Sequence, residues 1–385
     1  MKKVGFSAGC PDGDISSLSN QLKKFKELGV DSLEIQIFSM DVIMGKKINQ
    51  PELKILKDTL LNQDFEYSVH GALSVNLLNQ EYFDSHKEML KRNIEVSGEI
   101  NATHLVTHFG LTTEKIYENK ELYSSHLKRQ QECYEEMGEY AKEHNVTLAI
   151  ENLYPFLPDS YAPLPSEIAE QLNDIDHPNV KCCLDISHGY LNCTYRNAHF
   201  IDEIKQMAPL SEHIHMHDSH GMLLKSMWTW NKTEAGAYGK GDLHLPLGWG
   251  DIPFEKIFTE MQFPEKLCLN FEVLDRYQKY FNESLTSMIP FGKHEMEYSL
   301  SIVPIISLFL ILLIDKKHFK INLKNFYFLI ILAIIFFLPV YFNLNFLNQY
   351  SFNSQLPIIK STWVQFRWMA IYIIPIIFLT GLIIE

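Results

Sequence analysis

The stretch "HIHMHDSHG", residues 213–221, carries histidines at 213, 215, 217 and 220 within nine positions. His213, His215 and His217 alternate with Ile214 and Met216. In a β-strand, side chains two apart share a face, so the three imidazoles would line one face and the apolar residues the other. A buried polar strand face needs a partner for every ring nitrogen, and metal ions, carboxylates or bound substrate are the usual ones. A solvated edge strand is the competing reading, and the rest of the chain decides between them.

Working outward, seven more short β-rich runs flank this one: "KVGFSA", "SLEIQIF", "EYSVHG", "HLVTHFG", "TLAIEN", "VKCCLD" and "LCLNFE". Between them lie segments of helical length and pattern at 17–28, 82–99, 122–145, 165–174 and 253–262. Asp251 is placed to cap the last of these, and Pro253 suits its first turn. Eight strands alternating with helices predict a parallel (β/α)8 barrel, an α/β fold.

The strand ends carry the chemistry. Apolar residues run into His70, His108, Glu151, Asp185 (with His188 just beyond), His215 or His217, and Glu272, in six successive strands. Barrel enzymes build active sites at that C-terminal face from the ends of several strands. One such residue could be a strand terminator, but six together predict a metal or acid–base site. Carboxylate and imidazole donors without thiolates suit Zn, Mn, Co or Mg as the divalent cofactor. With Glu151 and Glu272 both present, such an ion could hold a substrate's carbonyl and hydroxyl oxygens while one carboxylate removes a proton and the other returns it.

The charge is unevenly spread. The chain has 34 Lys+Arg and 47 Asp+Glu; residues 291–385 hold seven and four of these, leaving 27 and 43 in residues 1–290, a net of −16. So acidic a domain lacks the phosphate-neutralising surface that nucleic-acid binding needs. Cysteines at 10, 133, 182, 183, 193 and 268 form no CxxC pair and read as reduced, hence cytoplasmic, with Cys182 and Cys183 as core strand residues. No apolar run of signal-peptide length follows the first lysines.

The pieces "VHGALSVNLLN" (69–79), "LAIEN" (148–152), "CLDISHG" (183–189), "HIHMHDSHG" and "GDLHLPLGWGDIPF" (241–254) together resemble the xylose-isomerase-like TIM barrels, over roughly residues 1–280. That family includes sugar phosphate isomerases and epimerases, ketose 3-epimerases, inosose dehydratases and the endonuclease IV type of apurinic endonuclease. The epimerase resemblance implies a mononuclear metal held by Glu151, Asp185, His215 and Glu272, with Glu151 and Glu272 transferring protons and His188 meeting substrate. His217 and His220 would then contact substrate or support the ligands, and His213 would lie deeper. The endonuclease resemblance implies three zinc ions held by His70, His108, Glu151, Asp185, His188, His215, Asp242, His244 and Glu272; the D-x-H-x-x-L-G-x-G spacing is present, with Trp249 where relatives carry an acid. The acidic charge argues against a DNA substrate. The expected activity is therefore metal-dependent isomerisation or epimerisation of a small sugar, polyol or sugar phosphate; the alternatives are an abasic-DNA phosphodiesterase and a non-catalytic ligand-binding barrel. Trp228 and Trp230 could stack on a sugar or pack on the rim, and Arg276 and Lys225 could meet a phosphate, although no glycine-rich phosphate cradle is present.

Composition changes near residue 290. The runs "LSIVPIISLFLILLI" (300–314), "NFYFLIILAIIFFLPVYF" (325–342) and "WMAIYIIPIIFLTGLII" (368–384) approach membrane-spanning length. The expected organisation is a barrel over 1–285, a linker over 286–299 and a hydrophobic segment of two to three transmembrane helices over 300–385. The lysine-rich loop between the first two runs would be cytoplasmic and put the barrel outside. That conflict with the barrel's other features favours a fused or truncated fragment of an unrelated membrane protein. Expected partners are a small carbohydrate, the membrane through this segment, and further copies of the chain in a homo-oligomer.

Overall fold

The computed structural model describes residues 2–61, 63–224, 227–281 and 284. The linker and hydrophobic segment expected over 286–385 lie outside the described residues. Among the described residues, no helix is long and apolar enough to cross a membrane.

Eight parallel strands close into a barrel: β1 Lys2–Ala8, β2 Ser32–Gln36, β3 Glu66–His70, β4 His104–His108, β5 Thr147–Glu151, β6 Val180–Asp185, β7 Ser211–Met216 and β8 Leu267–Phe271. Each pairs with its sequence neighbours, and β1 pairs with β8 to close the ring. The flanking helices are α1 Leu18–Leu28, α2 Gln50–Leu60, α3 Phe83–Glu99, α4 Lys120–Glu143, α5 Pro165–Ile175, α6 Ile186–Arg196, α7 Phe200–Met207 and α8 Phe254–Glu260. All eight expected strands are present.

Period two sorts the side chains. On β2, Leu33 and Ile35 belong to the core shared with the helices, as do Ile214 and Met216 on β7 and Leu269 and Phe271 on β8. Phe6 of β1 stacks on Phe25 of α1 at 5.3 Å and on Phe271 at 5.2 Å in the same layer. The alternate positions point into the barrel. Low in its interior, Val106, Ala149 and Cys183 form a small separate apolar cluster. One step further along the same three strands stand His108, Glu151 and Asp185.

Two local expectations are corrected. The helix expected over 253–262 spans Phe254–Glu260, with Pro253 as its N-cap residue rather than in its first turn. Asp251 is not the cap: it lies two residues upstream, and its Oδ2 faces His220 Nδ1 at 2.8 Å. The stretch from His217 to Pro253 contains one short helix, Lys232–Ala237, and turns.

Gly5 of β1 is the Cα partner of Ser32 of β2. A Cβ there would lie 2.4 Å from both the backbone oxygen and Oγ of Ser32. Gly5→Ala should therefore destabilise the protein by about 1–3 kcal/mol, the usual cost of overpacking, read as a lowered denaturation midpoint with unchanged m-value.

Candidate active site

The site is built on the floor that β7 supplies. His215 is fully buried and lies between carboxylates on both sides of its ring. Its Nδ1 is 3.3 Å from Glu151 Oε1, 3.5 Å from Glu272 Oε2 and 3.7 Å from Asp185 Oδ2. Its Nε2 is 3.1 Å from Glu34 Oε2. Of the four residues singled out as one ligand set, the three carboxylates thus surround one ring nitrogen of the fourth, His215.

The flanking residues extend the cluster. His70 Nε2 and His108 Nε2 reach Glu151 Oε2 at 3.2 and 3.4 Å. His188 Nδ1 approaches Glu151 Oε1 at 3.2 Å and Asn152 O at 3.1 Å, and its Nε2 faces Asp242 Oδ2 at 3.4 Å. His217 Nε2 meets Asp185 Oδ2 at 2.9 Å, and its ring stacks on His244 at 4.0 Å. His244 Nε2 in turn lies 2.7 Å from Asp242 Oδ2. Glu272, His108, Asp242 and His244 side chains keep 9, 11, 13 and 19 % exposure, whereas Glu34, Asp185, His213 and His215 have none. The exposed members mark the mouth and the others the floor.

Three sequence features fall elsewhere. His220, expected to support the site, is partly exposed and pairs with Asp251, because Gly221 turns the chain away at φ +67°. Trp228 and Trp230 do not pack on the rim; they meet edge to face at 6.0 Å and remain 76 and 78 % exposed. Arg276 donates to Thr233 Oγ1 and the Tyr277 hydroxyl, while Lys225 lies outside the described residues.

Glu34 was not anticipated. It is wholly buried; its Oε2 lies 2.8 Å from His213 Nε2 as well as 3.1 Å from His215, and Ser7 Oγ lies 3.3 Å from its Oε1. The available signal was one carboxylate inside the apolar strand "SLEIQ", on the face opposite Leu33 and Ile35.

Five carboxylates in so dry a place must be compensated. Burial, the largest single influence, would raise Glu34 and Glu151, but His215 together with His213 at Glu34, and with His108 and His188 at Glu151, outweighs it and holds both well below the ordinary carboxylate range. Asp242 is held down likewise, against burial, by His244, His217 and His188. Burial pushes His70 and His244 toward neutrality, yet Glu151 and Asp242 respectively raise each to about 9. Burial wins at His108, which falls to about 4.

The donor set fits a divalent cation. His70, His108 and Glu151 offer ligand atoms within 4.8 Å of one another, as do Asp185, His188 and His217; His217, His244 and Glu272; and Glu34, His70, His215 and Glu272. Glu151 Oε2, buried, is faced by the His70 and His108 ring nitrogens alone, and the buried His217 Nδ1 and Asp242 Oδ1 lie 3.6 Å apart without a hydrogen bond, so all three keep lone pairs an ion could use. Cys183 also comes within reach of His213 and His215, but burial drives its thiol well above its ordinary range and keeps it protonated.

An eight-stranded parallel barrel with an oxygen and nitrogen donor cluster at the C-terminal ends of its strands defines a TIM barrel with a candidate metal site. The chain belongs to the xylose isomerase-like TIM barrel family, whose model matches residues 22–279. Among solved structures, a D-tagatose 3-epimerase-like protein superposes with TM-score 0.57 at 19 % identity, covering 77 % of this chain and 99 % of that one. A D-psicose 3-epimerase determined in the presence of D-fructose gives 0.53 at 14 %, covering 74 and 98 %. An L-ribulose 3-epimerase gives 0.51 at 14 %, covering 79 and 98 %. At these identities the likeness is one of fold. No match was found among curated proteins.

The pH response of the chelator-treated protein follows from these shifts. His70 and His244, raised from 6.5 to about 9, contribute stability that is full below about pH 6.5 and is lost as pH rises through 9. Glu34, Glu151 and Asp242, all depressed, contribute stability that is present above their ordinary values of 4.5, 4.5 and 3.8 and is lost on acidification. The melting temperature should therefore peak between roughly pH 5 and 6.5 and fall on both sides; a midpoint that stays flat from pH 6.5 to 9.5 would contradict the charge pairing.

Proposed function

We propose that the chain is a divalent-metal-dependent isomerase or epimerase that moves a proton next to the carbonyl of a small sugar, polyol or sugar phosphate. The observation that carries this reading is the convergence of Glu151, Asp185 and Glu272 on His215 Nδ1 at the barrel mouth. The 3-epimerase names of several fold neighbours agree with it. Glu151, Asp185, His215 and Glu272 would hold the ion, which supplies Lewis-acid polarisation of the substrate carbonyl. Manganese, magnesium, cobalt and zinc all suit these donors.

The remaining work falls to side chains. Glu151 and Glu272 reach the same imidazole nitrogen from different strands, so a substrate above His215 meets a carboxylate on each side. One can take a proton from the carbon beside the carbonyl while the other returns one. His188, with Nδ1 donating to Asn152 O, turns its other nitrogen toward Asp242 and the mouth, where it can contact a substrate oxygen. Ser7 Oγ lies 3.3 Å from both Glu272 Oε1 and Glu34 Oε1 and can give its one proton to either carboxylate. The test is incorporation of deuterium from heavy water into a panel of ketoses and inososes by the metal-loaded protein. Glu151→Gln should slow exchange by about 10²–10⁴-fold, and absence of metal-dependent exchange across the panel would sink the proposal.

A second reading rests on the groups His70–His108–Glu151 and His188–Asp242–His244, which provide places for further ions of a phosphodiesterase on abasic DNA. The net charge of −16 over residues 1–290 opposes it. Three ions per chain with nicking of an abasic duplex would favour this reading over the first.

Residues 300–385 we read as membrane-associated on the strength of their apolar runs, and the barrel as cytoplasmic, since all six cysteines are free; the two agree where the first, 15-residue run does not span, so that the lysine-rich loop and the barrel lie on the same side. The full chain should then stay with the membrane pellet after alkaline carbonate; release into the supernatant would refute the tail assignment.

A further inference from the structure

Asp218 follows His217 directly, and the alternation that sends His217 into the site sends Asp218 outward. Its carboxylate is completely buried. Among the described residues, no basic side chain is one of its hydrogen-bond partners. Four backbone N–H groups donate to it instead: Ser219 at 2.9 Å and Ile252 at 3.3 Å to Oδ1, Gly248 and Gly250 at 2.9 Å each to Oδ2. The backbone adds a two-way link, with Asp218 N donating to Leu245 O at 2.9 Å and Leu245 N to Asp218 O at 3.1 Å.

All the distant partners lie on one segment, 245–252, which begins next to His244. His244 itself has φ +47°, a left-handed backbone that a histidine adopts only when its surroundings hold it there. The two glycines are explained by the same contact. Gly248 has φ +84°, and a Cβ on Gly250 would lie 2.3 Å from Ser219 O and 2.4 Å from Asp218 Oδ1. The run "LPLGWG" is thus a backbone cradle closed on a buried anion.

We propose that Asp218 is a positioning residue: by clamping segment 245–252 to the end of β7, it fixes Asp242 and His244 over the donor cluster. It needs no contact with substrate or ion. The lever is short, because the residue before Asp218 stacks on His244 at 4.0 Å and lies 3.6 Å from Asp242.

The test has two arms on the full chain. In hydrogen exchange read by mass spectrometry, the amides of 248–252 should be protected in the wild type, and Asp218→Asn, which must set an N–H donor either against Gly248 and Gly250 or against Ser219 and Ile252, should speed their exchange on the order of 100-fold while β5 and β6 stay protected. Gly250→Ala, which strikes the same contact from the other side, should do likewise. Fast exchange of 248–252 in the wild type would overturn the proposal without any variant. The second arm titrates Co²⁺ and follows its visible absorption. It rests on the function proposed above, whereas the first does not. Both variants should weaken Co²⁺ binding by about 10–100-fold, the usual range for a supporting residue, and alter the band shape; Asp251→Asn, which touches only His220 on the same loop, should leave both unchanged. Accelerated exchange with wild-type Co²⁺ affinity and spectrum would reduce Asp218 to loop stability alone and overturn the positioning role. A wild type that binds no Co²⁺ would sink the metal reading and the positioning role with it, leaving the exchange arm to establish the clamp alone.

Discussion

The architecture depends on neutralising negative charge where water does not reach. Glu34, Glu151 and Asp185 stand in the barrel interior at 0 or 1 % exposure, with Asp242 and Glu272 just above them. Among the described residues, imidazoles and no ammonium or guanidinium groups face each of these carboxylates. Histidine suits that position because it can balance a carboxylate as a cation or, having given up its proton, lend a lone pair to a metal. A lysine could do the first and not the second. The same side chains can therefore hold the barrel together and bind an ion.

Much of the fold was legible because the eight strands obey a strict alternation, and because the outward residues (Leu33, Ile35, Ile214, Met216) are large and apolar. The site was legible where a strand ended on a donor, as at His70, His108, Glu151 and Asp185. Glu34 escaped because it sits in mid-strand and draws its significance from β7, some 180 residues away, through contacts that no local pattern records. Asp251 misled for the converse reason: its spacing before Pro253 is right for a cap, but His220 competes for the carboxylate.

Charge and shape divide the labour between strand and loop. The strands fix the deep donors through backbone register: His108 stands beside Glu151, and Asp185 beside His215, as Cα partners on adjacent strands. Asp242 and His244 come from a connection with no ladder of its own, and their placement relies on turns and on contacts with the end of β7. The mouth is accordingly the part of the site free to differ in shape without disturbing the floor.

The two-residue period of β7 also limits how such a site can change over generations. Inserting or deleting a single residue between His213 and His217 would rotate Ile214 and Met216 into the polar interior and push imidazoles into the oily layer beneath the helices, with the facing carboxylates left bare. New specificities are therefore reachable by exchanging one side chain for another within this strand, while changes of length are confined to the long excursion between His217 and Asp242.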